Sequence, residues 1–305
     1  LSMQRPDGDF TLWPEGQEVD RYAGAYAIWV LGLAREAGVA VPEAPLAKAH
    51  AALNAHLSAP LPTTPWGQRT ALIERAFAAH ALASAGEPPG ETLALLFERL
   101  AELPPFARAI LLMAVHAADP RDPRVATLRR QLSAALEARA GAAHVLVDEA
   151  LGDAFYDSQV RTDAIALVAL LQVAPDDPRI EPLARGLTRS RVGGRWRNTQ
   201  ENAWALLGLA RYAAARERDA PDHRLTAWIG AAQVLDVERR APAAPPEHAR
   251  VAMPDLLRPL APRGSDRTTH VVLDRDGPGR VYYRVGMEWA TTGEAPARSQ
   301  GLGLR

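Results

Sequence analysis

The chain contains no cysteine among its 305 residues. This absence excludes thiolate catalysis, cysteine-ligated zinc, iron–sulfur clusters and disulfide bonds within the chain, although it leaves the cellular compartment open. Long apolar runs are lacking as well, because the richest one, Ala23 to Ala34, is followed at once by Arg35 and Glu36. A membrane-spanning helix needs about 20 mostly apolar residues, so the sequence predicts none.

The chain also lacks an excess of charge of either sign. Its 35 Lys and Arg residues balance 36 Asp and Glu residues, which leaves a formal net charge of -1. Because no block of Lys and Arg occurs, nucleic-acid binding is not expected. The chain opens Leu1-Ser2-Met3, without an initiating methionine or a basic-then-apolar leader, and this opening predicts a fragment of a longer protein.

From Tyr22 to about Ala220 the sequence is a series of Ala- and Leu-rich amphipathic stretches, separated by short segments rich in Pro, Gly or Asp. This pattern predicts about nine helices in consecutive hairpins. Alternate helices begin after an aromatic residue, which favours an inner and an outer layer, as in an α/α toroid or an α-solenoid. A toroid of six hairpins needs about twelve helices, so we expect an α/α toroid that lacks about three helices at its N-terminus.

A short repeat marks two of the predicted helix starts. Residues 122–125 read Asp-Pro-Arg-Val, and residues 177–180 read Asp-Pro-Arg-Ile. Asp is a favourable N-cap and Pro fits the first helical position. The repeat therefore predicts that both helices begin at the Pro, with the Asp as N-cap.

The pattern changes after Ala220. Leu225 to Glu238 reads as extended chain, and Thr268 to Ala290 alternates apolar and polar residues with a period of two, which predicts strands joined by a turn at Asp276-Gly277. The residues predicted to share one strand face are Val281, Tyr283, Val285, Met287 and Trp289. We expect two domains, a helical domain at 1–220 and a small, incomplete β-rich domain at 221–305.

Four blocks of the sequence resemble the bacterial branch of the alpha-2-macroglobulin/complement family, in the thioester domain and the segment that follows it. Their order and spacing match over nearly the whole chain, and the Thr-Gln-Glu-Asn-Ala-Trp run of the third block is the most distinctive part. One position departs from the family pattern, since Asp9 stands where a second Gly is usual. The blocks are residues 4–14 (QRPDGDFTLWP), parts of 25–42 (AYA, LAREAG and VP), 196–207 (WRNTQENAWALL) and 279–283 (GRVYY).

The resemblance implies an α/α-toroid thioester domain followed by a CUB-like β segment, in a parent protein that inhibits proteases by trapping them and is not an enzyme. In this family a thioester joins the Cys and Gln of a Cys-x-Glu-Gln motif, a few tens of residues before the first block, and acylates an amine or hydroxyl of the protease. Since this chain has no Cys, it holds no thioester and no reactive residue is assigned.

The resemblance also implies the partners and the location. The partners are proteases, which are met through the parent protein, and other domains of the same parent chain. No cofactor and no nucleic acid are implied. Placement in the periplasm, in the cell envelope or outside the cell follows from the family alone.

Several residues of the blocks are candidates for the surroundings of the thioester. The aromatic residues Trp13, Tyr156 and Trp196 either shield the thioester in the intact domain or pack the core. The polar run is expected to place the last helix, because Asn198 as N-cap and Glu201 three residues later fit a capping box. The family-block residues of this run are Thr199, Gln200, Glu201 and Asn202.

Other functions remain open at this point. Asp153, Asp157 and Asp163 surround Phe155-Tyr156, where a toroidal enzyme that cleaves polysaccharides places its acid and base; the alternative is that Asp157 or Ser158 caps a helix. A toroidal enzyme acting on isoprenoids and a non-catalytic envelope scaffold are further alternatives. No metal site is expected, since the eight histidines are scattered and no HExxH motif occurs.

Overall fold

The computed structural model describes residues 2–14, 16, 18–147, 154–216, 222–240, 245–257 and 269–288. The chain divides into two compact units, Leu1–Arg216 and Glu217–Arg305. About 54% of the described residues are helical and the sheets are small, so the prediction of a mainly α fold is confirmed. No helix in the described residues is long and apolar enough to cross a membrane.

The described residues of the first unit form nine α-helices, which is the number that the sequence predicts. Polar side chains cap several of them: Asp20, Thr64 and Ser158 each accept a hydrogen bond from a backbone N–H in the first turn of the helix that follows. A 3-10 helix, Leu100–Glu102, lies between the fourth and fifth. The helices are α1 (Arg21–Glu36), α2 (Glu43–Ser58), α3 (Pro65–Ser84), α4 (Gly90–Glu98), α5 (Pro105–Ala118), α6 (Pro123–Ala134), α7 (Gln159–Val173), α8 (Ile180–Arg189) and α9 (Thr199–Arg216).

The odd-numbered helices form an inner layer. Helix α1 packs on α3, α3 on α5, α5 on α7 and α7 on α9, while each even-numbered helix packs on the two inner helices that flank it in sequence. The pattern of buried side chains along each helix explains the two layers. Helix α7 is buried without a break from Arg161 to Leu170, whereas α8 buries one stripe that includes Ile180, Leu183 and Leu187.

Aromatic rings from α1, α3 and α9 meet inside the inner layer. Trp29 of α1 stacks on Trp204 of α9 with ring centroids 4.8 Å apart, and Tyr26 stacks on Phe77 of α3 at 5.6 Å. Each such pair contributes about 0.5–1.5 kcal/mol beyond the burial of its area. The Trp29–Trp204 stack joins the first inner helix to the last. We call this cluster the aromatic core; its members are Tyr22, Tyr26, Trp29, Phe77, His80 and Trp204.

A β-hairpin that the sequence does not predict follows α6. Strands β1 (Leu136–Arg139) and β2 (Ala142–Val145) pair antiparallel around a tight turn, in which Ala140 and Gly141 both have positive φ. The run of Ala and Leu here reads as helix, and only Gly141 hints at the turn. Burial of one face against α7 and α8 overrides that local preference.

One carboxylate fastens this hairpin to α7. Asp163 Oδ1 accepts hydrogen bonds from the Val145 backbone N–H at 2.7 Å and from Gln159 Nε2 at 2.9 Å, and Oδ2 lies 2.8 Å from His144 Nδ1. Burial raises the pKa of Asp163, while the His144 contact opposes the shift. Asp163 is thus a structural anchor with its lone pairs committed.

The two Asp-Pro-Arg repeats make the same local contact but start their helices differently. Asp122 Oδ1 accepts from the Arg124 N–H at 2.8 Å and α6 begins at Pro123, as predicted. Asp177 Oδ1 likewise accepts from the Arg179 N–H at 3.0 Å, yet α8 begins only at Ile180. The prediction of a start at Pro178 is therefore wrong, because an i to i+3 turn closed by the bond from Ile180 N to Asp177 O comes first.

The second unit contains a three-stranded antiparallel sheet in the order β4-β3-β5 and a short helix, α10 (Met253–Leu257). Strands β3 (His223–Ile229) and β4 (Ala232–Arg239) confirm the predicted extended chain. Leu225 pairs with Val237, and Ala227 pairs with Leu235 and with Leu273 of β5 (Val271–Asp276). Apolar residues therefore share one face of the sheet.

The predicted strand over the apolar positions 281–287 is wrong. The described residues 281–288 form no strand, and Trp289 lies outside the described residues. After Gly277, with φ of 110°, the chain turns onto the start of β3, where Pro278 O accepts a hydrogen bond from Asp222 N and lies 3.0 Å from His223 Nδ1. These contacts lead the chain away from the edge of β5, where a hairpin partner would pair.

His80 makes the stability of the first unit depend on pH. Burial lowers the pKa of His80 to about 3, below the 6.5 of an unperturbed histidine. The unfolded chain therefore binds more protons between these values, so the free energy of unfolding falls as pH falls below 6.5, by at most about 1.4 kcal/mol per pH unit. We expect the free energy of unfolding of His80→Leu to depend less steeply on pH between pH 6 and 4, with a slope smaller by about this amount. Urea unfolding followed by circular dichroism at 222 nm measures it. The exposed His248→Leu is the control, and an unchanged slope in His80→Leu contradicts the burial argument.

Removing the Asp163 anchor will destabilise the first unit. Asp163→Ala leaves the Val145 N–H without its partner and is expected to lower the free energy of unfolding by about 3 kcal/mol. Asp176→Ala, at a fully exposed side chain, is the matched control and is expected to change it by less than about 0.5 kcal/mol. Equal effects in the two variants, measured by thermal unfolding at 222 nm, would show that the hairpin needs no anchor.

Candidate functional site

A cleft of about 690 Å³ opens on the first unit beside the N-terminus of α1. The loop before α1 forms one wall, Phe155 and Tyr156 before α7 form another, and Glu74 of α3 lies at its edge. The cleft brings together two of the predicted aromatic residues, Trp13 and Tyr156. The lining residues are Thr11, Leu12, Trp13, Gly16, Glu18, Val19, Asp20, Arg21, Tyr22, Glu74, Phe155 and Tyr156.

The loop that carries Trp13 is held by a backbone bridge and a side-chain hydrogen bond. Thr11 pairs with Val19 as an isolated bridge, and Thr11 Oγ1 donates to Trp13 O at 2.7 Å. Gly8 is required here, because its φ is 100° and a Cβ would lie 2.3 Å from Lys48 O. Asp9 has no positive φ, so the departure from the family Gly imposes no backbone strain.

Trp13 and Tyr156 are not core residues. The two residues are 74% and 54% exposed, so neither is buried among the described residues. Tyr156 and its neighbour Phe155 have φ of 55° and 57°, in the left-handed region that non-glycine residues rarely adopt. The Phe155 and Tyr22 rings form an edge-to-face pair with centroids 5.3 Å apart, which links this wall to the aromatic core.

Trp196 lies elsewhere and is buried, with 4% exposure. Its Nε1 donates to Leu187 O at 2.9 Å and to Ser190 Oγ at 3.0 Å, so it fastens the end of α8 to the start of α9. The structure does not bring Trp196 to the cleft. Its hydrogen bonds give it a structural role here.

The polar run after Trp196 builds the first turn of α9. Asn198 caps the helix, since its Oδ1 accepts from the Glu201 N–H at 2.9 Å. Glu201 accepts from the Arg197 N–H at 2.8 Å rather than from Asn198 N, so the strict capping box is not formed. Asn202 donates to Trp196 O at 3.0 Å and accepts from its N–H at 3.2 Å. Thr199 and Gln200 are the first two residues of the helix, and none of the run reaches the cleft.

Charged residues, among them Arg21 and Glu74, also line the cleft. Burial raises the pKa of Glu74, and Arg21 opposes the shift. His56 Nε2 lies 3.8 Å from Glu74 Oε2. Burial lowers the pKa of His56 to about 4, so its imidazole is mostly neutral near pH 7. No group of three or more His, Cys, Asp or Glu side chains in the described part of the chain could hold a metal ion.

The carboxylates proposed for a sugar-cleaving site do not form one. Asp163 is turned toward the β1–β2 hairpin, and Asp157 Oδ1 accepts from Thr162 Oγ1 at 3.0 Å. Asp153 lies outside the described residues. Ser158 caps α7, as one of the two capping alternatives predicts. None of Asp157, Ser158 and Asp163 lines the cleft.

Two residues near the cleft, Arg161 and Tyr22, were not identified from the sequence. Arg161 is fully buried, and one of its Nη atoms donates a hydrogen bond to the Tyr22 hydroxyl. Burial raises the pKa of Tyr22, and the Arg161 guanidinium opposes the shift, so the phenol stays protonated at neutral pH. The spacing of Tyr22, Tyr26 and Trp29, at i, i+4 and i+7, is the signal that could have revealed the aromatic stripe on α1.

Comparison with known proteins places the fold. No family model and no curated protein sequence matches the chain. Among solved structures, native alpha-2-macroglobulin of E. coli matches with a TM-score of 0.60 and 22% identity, over 78% of this chain and 14% of that chain. Salmonella alpha-2-macroglobulin reacted with methylamine matches with a TM-score of 0.60 and 24% identity, over 78% of this chain and 15% of that chain.

A third structure, native E. coli alpha-2-macroglobulin from domain MG7 to the C-terminus, matches with a TM-score of 0.58 and 21% identity, over 78% of this chain and 36% of that one. The chain thus spans well under two thirds of each neighbour. At identities below 25% the likeness concerns the fold. Over 78% of its length the chain has the fold of a segment of the bacterial alpha-2-macroglobulins, as the sequence resemblance predicts.

Proposed function

We propose that this chain is part of a bacterial alpha-2-macroglobulin-like protein that traps proteases, and that it supplies the helical thioester domain and an adjoining β segment. The observation that carries the proposal is the agreement of two independent findings. The sequence blocks resemble this family, and the fold matches E. coli and Salmonella alpha-2-macroglobulins over 78% of the chain. Two of the similar structures are described as activated by a protease, porcine elastase in one and trypsin in the other.

The aromatic residues that line the cleft support a role in protecting an acyl donor. A thioester survives only where water is excluded, and exposed aromatic side chains that line a cleft provide an apolar cover once a reactive group is seated there. Trp13 and Tyr156 line the cleft from two different segments. The chain has no Cys, so the reactive Cys of such a thioester would have to lie in another part of the parent; if the parent has lost that Cys, the segment supplies a docking surface instead. Trp196 and residues 199–202 support the last helix.

We further propose that the helical part is an α/α toroid, with the domain boundary at residues 220 and 221. The consecutive packing of the odd-numbered helices and the outer position of the even-numbered ones support this architecture. The sheet of the second unit, with its apolar face, supports a CUB-like β segment at 221–305. Other domains of the same parent chain are then its neighbours.

The family resemblance also leads us to propose a location in the periplasm, in the cell envelope or outside the cell. Proteases that are met there are the proposed targets. This part of the proposal draws on the family, and the helices described here add only that none of them could span a membrane.

The geometry favours a non-catalytic role over the toroidal enzyme. An enzyme of that kind needs an acidic, substrate-sized pore inside the inner helices. In this chain the fully buried rings of Phe77 and Trp204 occupy the interior of the inner layer. The remaining alternative is a non-catalytic envelope scaffold, and the experiment below distinguishes it from an inhibitor.

Covalent capture of a protease is the test. The full-length parent is incubated with trypsin, with and without prior treatment with methylamine, and the products are separated on a denaturing gel. We expect a band in which trypsin is joined to the parent, and we expect methylamine to abolish it, because a small amine consumes the acyl donor first.

Trypsin inactivated at its catalytic serine is the control, since it is not expected to trigger the parent. Absence of a covalent band, with trypsin still active on large protein substrates, would contradict the inhibitor and favour the scaffold. A band that persists after methylamine would show trapping without a thioester.

A further inference from the structure

We propose that Arg161 is a positioning residue for the Phe155–Tyr156 wall of the cleft, and that it acts through Tyr22. The position of the wall can be tested on this chain alone. Only the statement that the wall shields an acyl donor rests on the proposed function.

Arg161 is an unusual residue in its surroundings. It is 0% exposed, and the centre of its guanidinium lies 4.8 Å from the centroid of the Phe106 ring. One Nη donates to the Tyr22 hydroxyl, whereas Nε and the other Nη meet no acceptor within the described residues. A buried guanidinium is tolerated only with partners that compensate for its lost hydration. The Tyr22 hydroxyl and the Phe106 ring are therefore the contacts that fix the Arg161 side chain.

Tyr22 carries the constraint from Arg161 to the wall. Its hydroxyl is held by Arg161, its ring lies 5.1 Å from Phe77 on one side, and the ring of Phe155 meets it edge-on at 5.3 Å. An edge-to-face pair is directional, so the orientation of the Tyr22 ring limits where the Phe155 ring can lie. The position of Phe155 thus depends on the hydrogen bond at the far end of Tyr22.

The wall needs such a constraint because its backbone is strained. Phe155 and Tyr156 both have φ in the left-handed region, which persists only where surrounding contacts impose it. The helix that follows supplies a second attachment: Ser158 Oγ accepts from the Arg161 backbone N–H at 3.2 Å. Arg161 therefore holds the segment at two points, through its backbone at Ser158 and through its side chain and Tyr22 at Phe155.

Two tyrosines on the same helix provide a matched pair of variants. Tyr22→Phe removes the hydroxyl that Arg161 binds, while Tyr26→Phe removes a hydroxyl one turn later on α1, from a ring that contacts Phe77 and Trp204 but not Phe155. The chain has five Phe residues, so carbon-13 labelling of Phe rings gives few NMR signals, and Phe155→Leu assigns the signal of Phe155. Each Tyr→Phe variant adds one signal.

We expect the Phe155 signal to move toward the position of an unstructured Phe in Tyr22→Phe and to stay in place in Tyr26→Phe. Chymotrypsin cleavage after Phe155 or Tyr156 is expected to be about fivefold faster in Tyr22→Phe only, which is the effect of losing one hydrogen bond on local opening. Equal responses in the two variants would overturn the proposal.

A double-mutant cycle separates positioning from a general loss of stability. Arg161→Met removes the donor and keeps an apolar side chain of similar length. If Arg161 acts through Tyr22, the double variant is cleaved no faster than the faster single variant. Effects that multiply would mean that the two residues act independently, and would overturn the proposal even though each variant alters the wall.

The link to the proposed function has its own readout. In the full-length parent, Tyr22→Phe is expected to speed spontaneous hydrolysis of the acyl donor, measured as the appearance of a free thiol, and Tyr26→Phe is not. Faster hydrolysis in Tyr22→Phe alone supports the positioning role within the trap. If the Phe155 signal moves while hydrolysis is unchanged, the positioning role stands and the shielding role of the cleft fails.

Discussion

The stacking of aromatic side chains between the first and the last inner helix is the interaction on which the rest of this structure depends. Trp29 and Trp204 lie 175 positions apart in sequence, yet their rings stack with centroids 4.8 Å apart. Phe77, which is fully buried, contacts both of them and also Tyr22 and Tyr26. Because these rings come from three helices, their packing sets how the helices approach one another. The same packing places the N-terminus of α1, and with it the cleft.

Polar groups at the edge of this cluster connect it to the cleft. Arg161 donates a hydrogen bond to Tyr22, and the Tyr22 ring contacts the Phe155 ring, so the strained backbone at Phe155 and Tyr156 is connected to the aromatic core. A buried guanidinium with unmatched N–H groups costs stability, so its presence here calls for a role in arranging its neighbours.

Much of the fold was open to sequence reasoning, because amphipathic periodicity and helix stops are local signals. These signals predict nine helices, the cap at Asn198 and the start of α6 at Pro123, and the described residues show each of them. Tertiary contacts decide the rest. The β1–β2 hairpin depends on an anchor at Asp163, eighteen residues from the N–H that it binds, and the strand expected at 281–287 does not form because the chain at Pro278 contacts the start of β3 instead of turning back along β5.

The site was open to sequence reasoning only in part. Trp13 and Tyr156 were singled out by their blocks and meet in one cleft, while Trp196, of the same residue class, packs between two helices. Nothing in the sequence separates an exposed from a buried aromatic when each precedes a helix. Arg161 is a still harder case, since a basic residue in a helix is usually solvated, and its burial follows only from the position of Tyr22 139 residues away.

The proposed function requires that the parent protein stores an acyl donor. Intact mass spectrometry of the full-length parent before and after treatment with methylamine, combined with a thiol titration, tests it most directly. The account predicts that the native protein shows no free thiol from the donor cysteine, and that treatment adds the mass of one methylamine while one thiol appears. An unchanged mass, with the thiol count the same before and after, would contradict it.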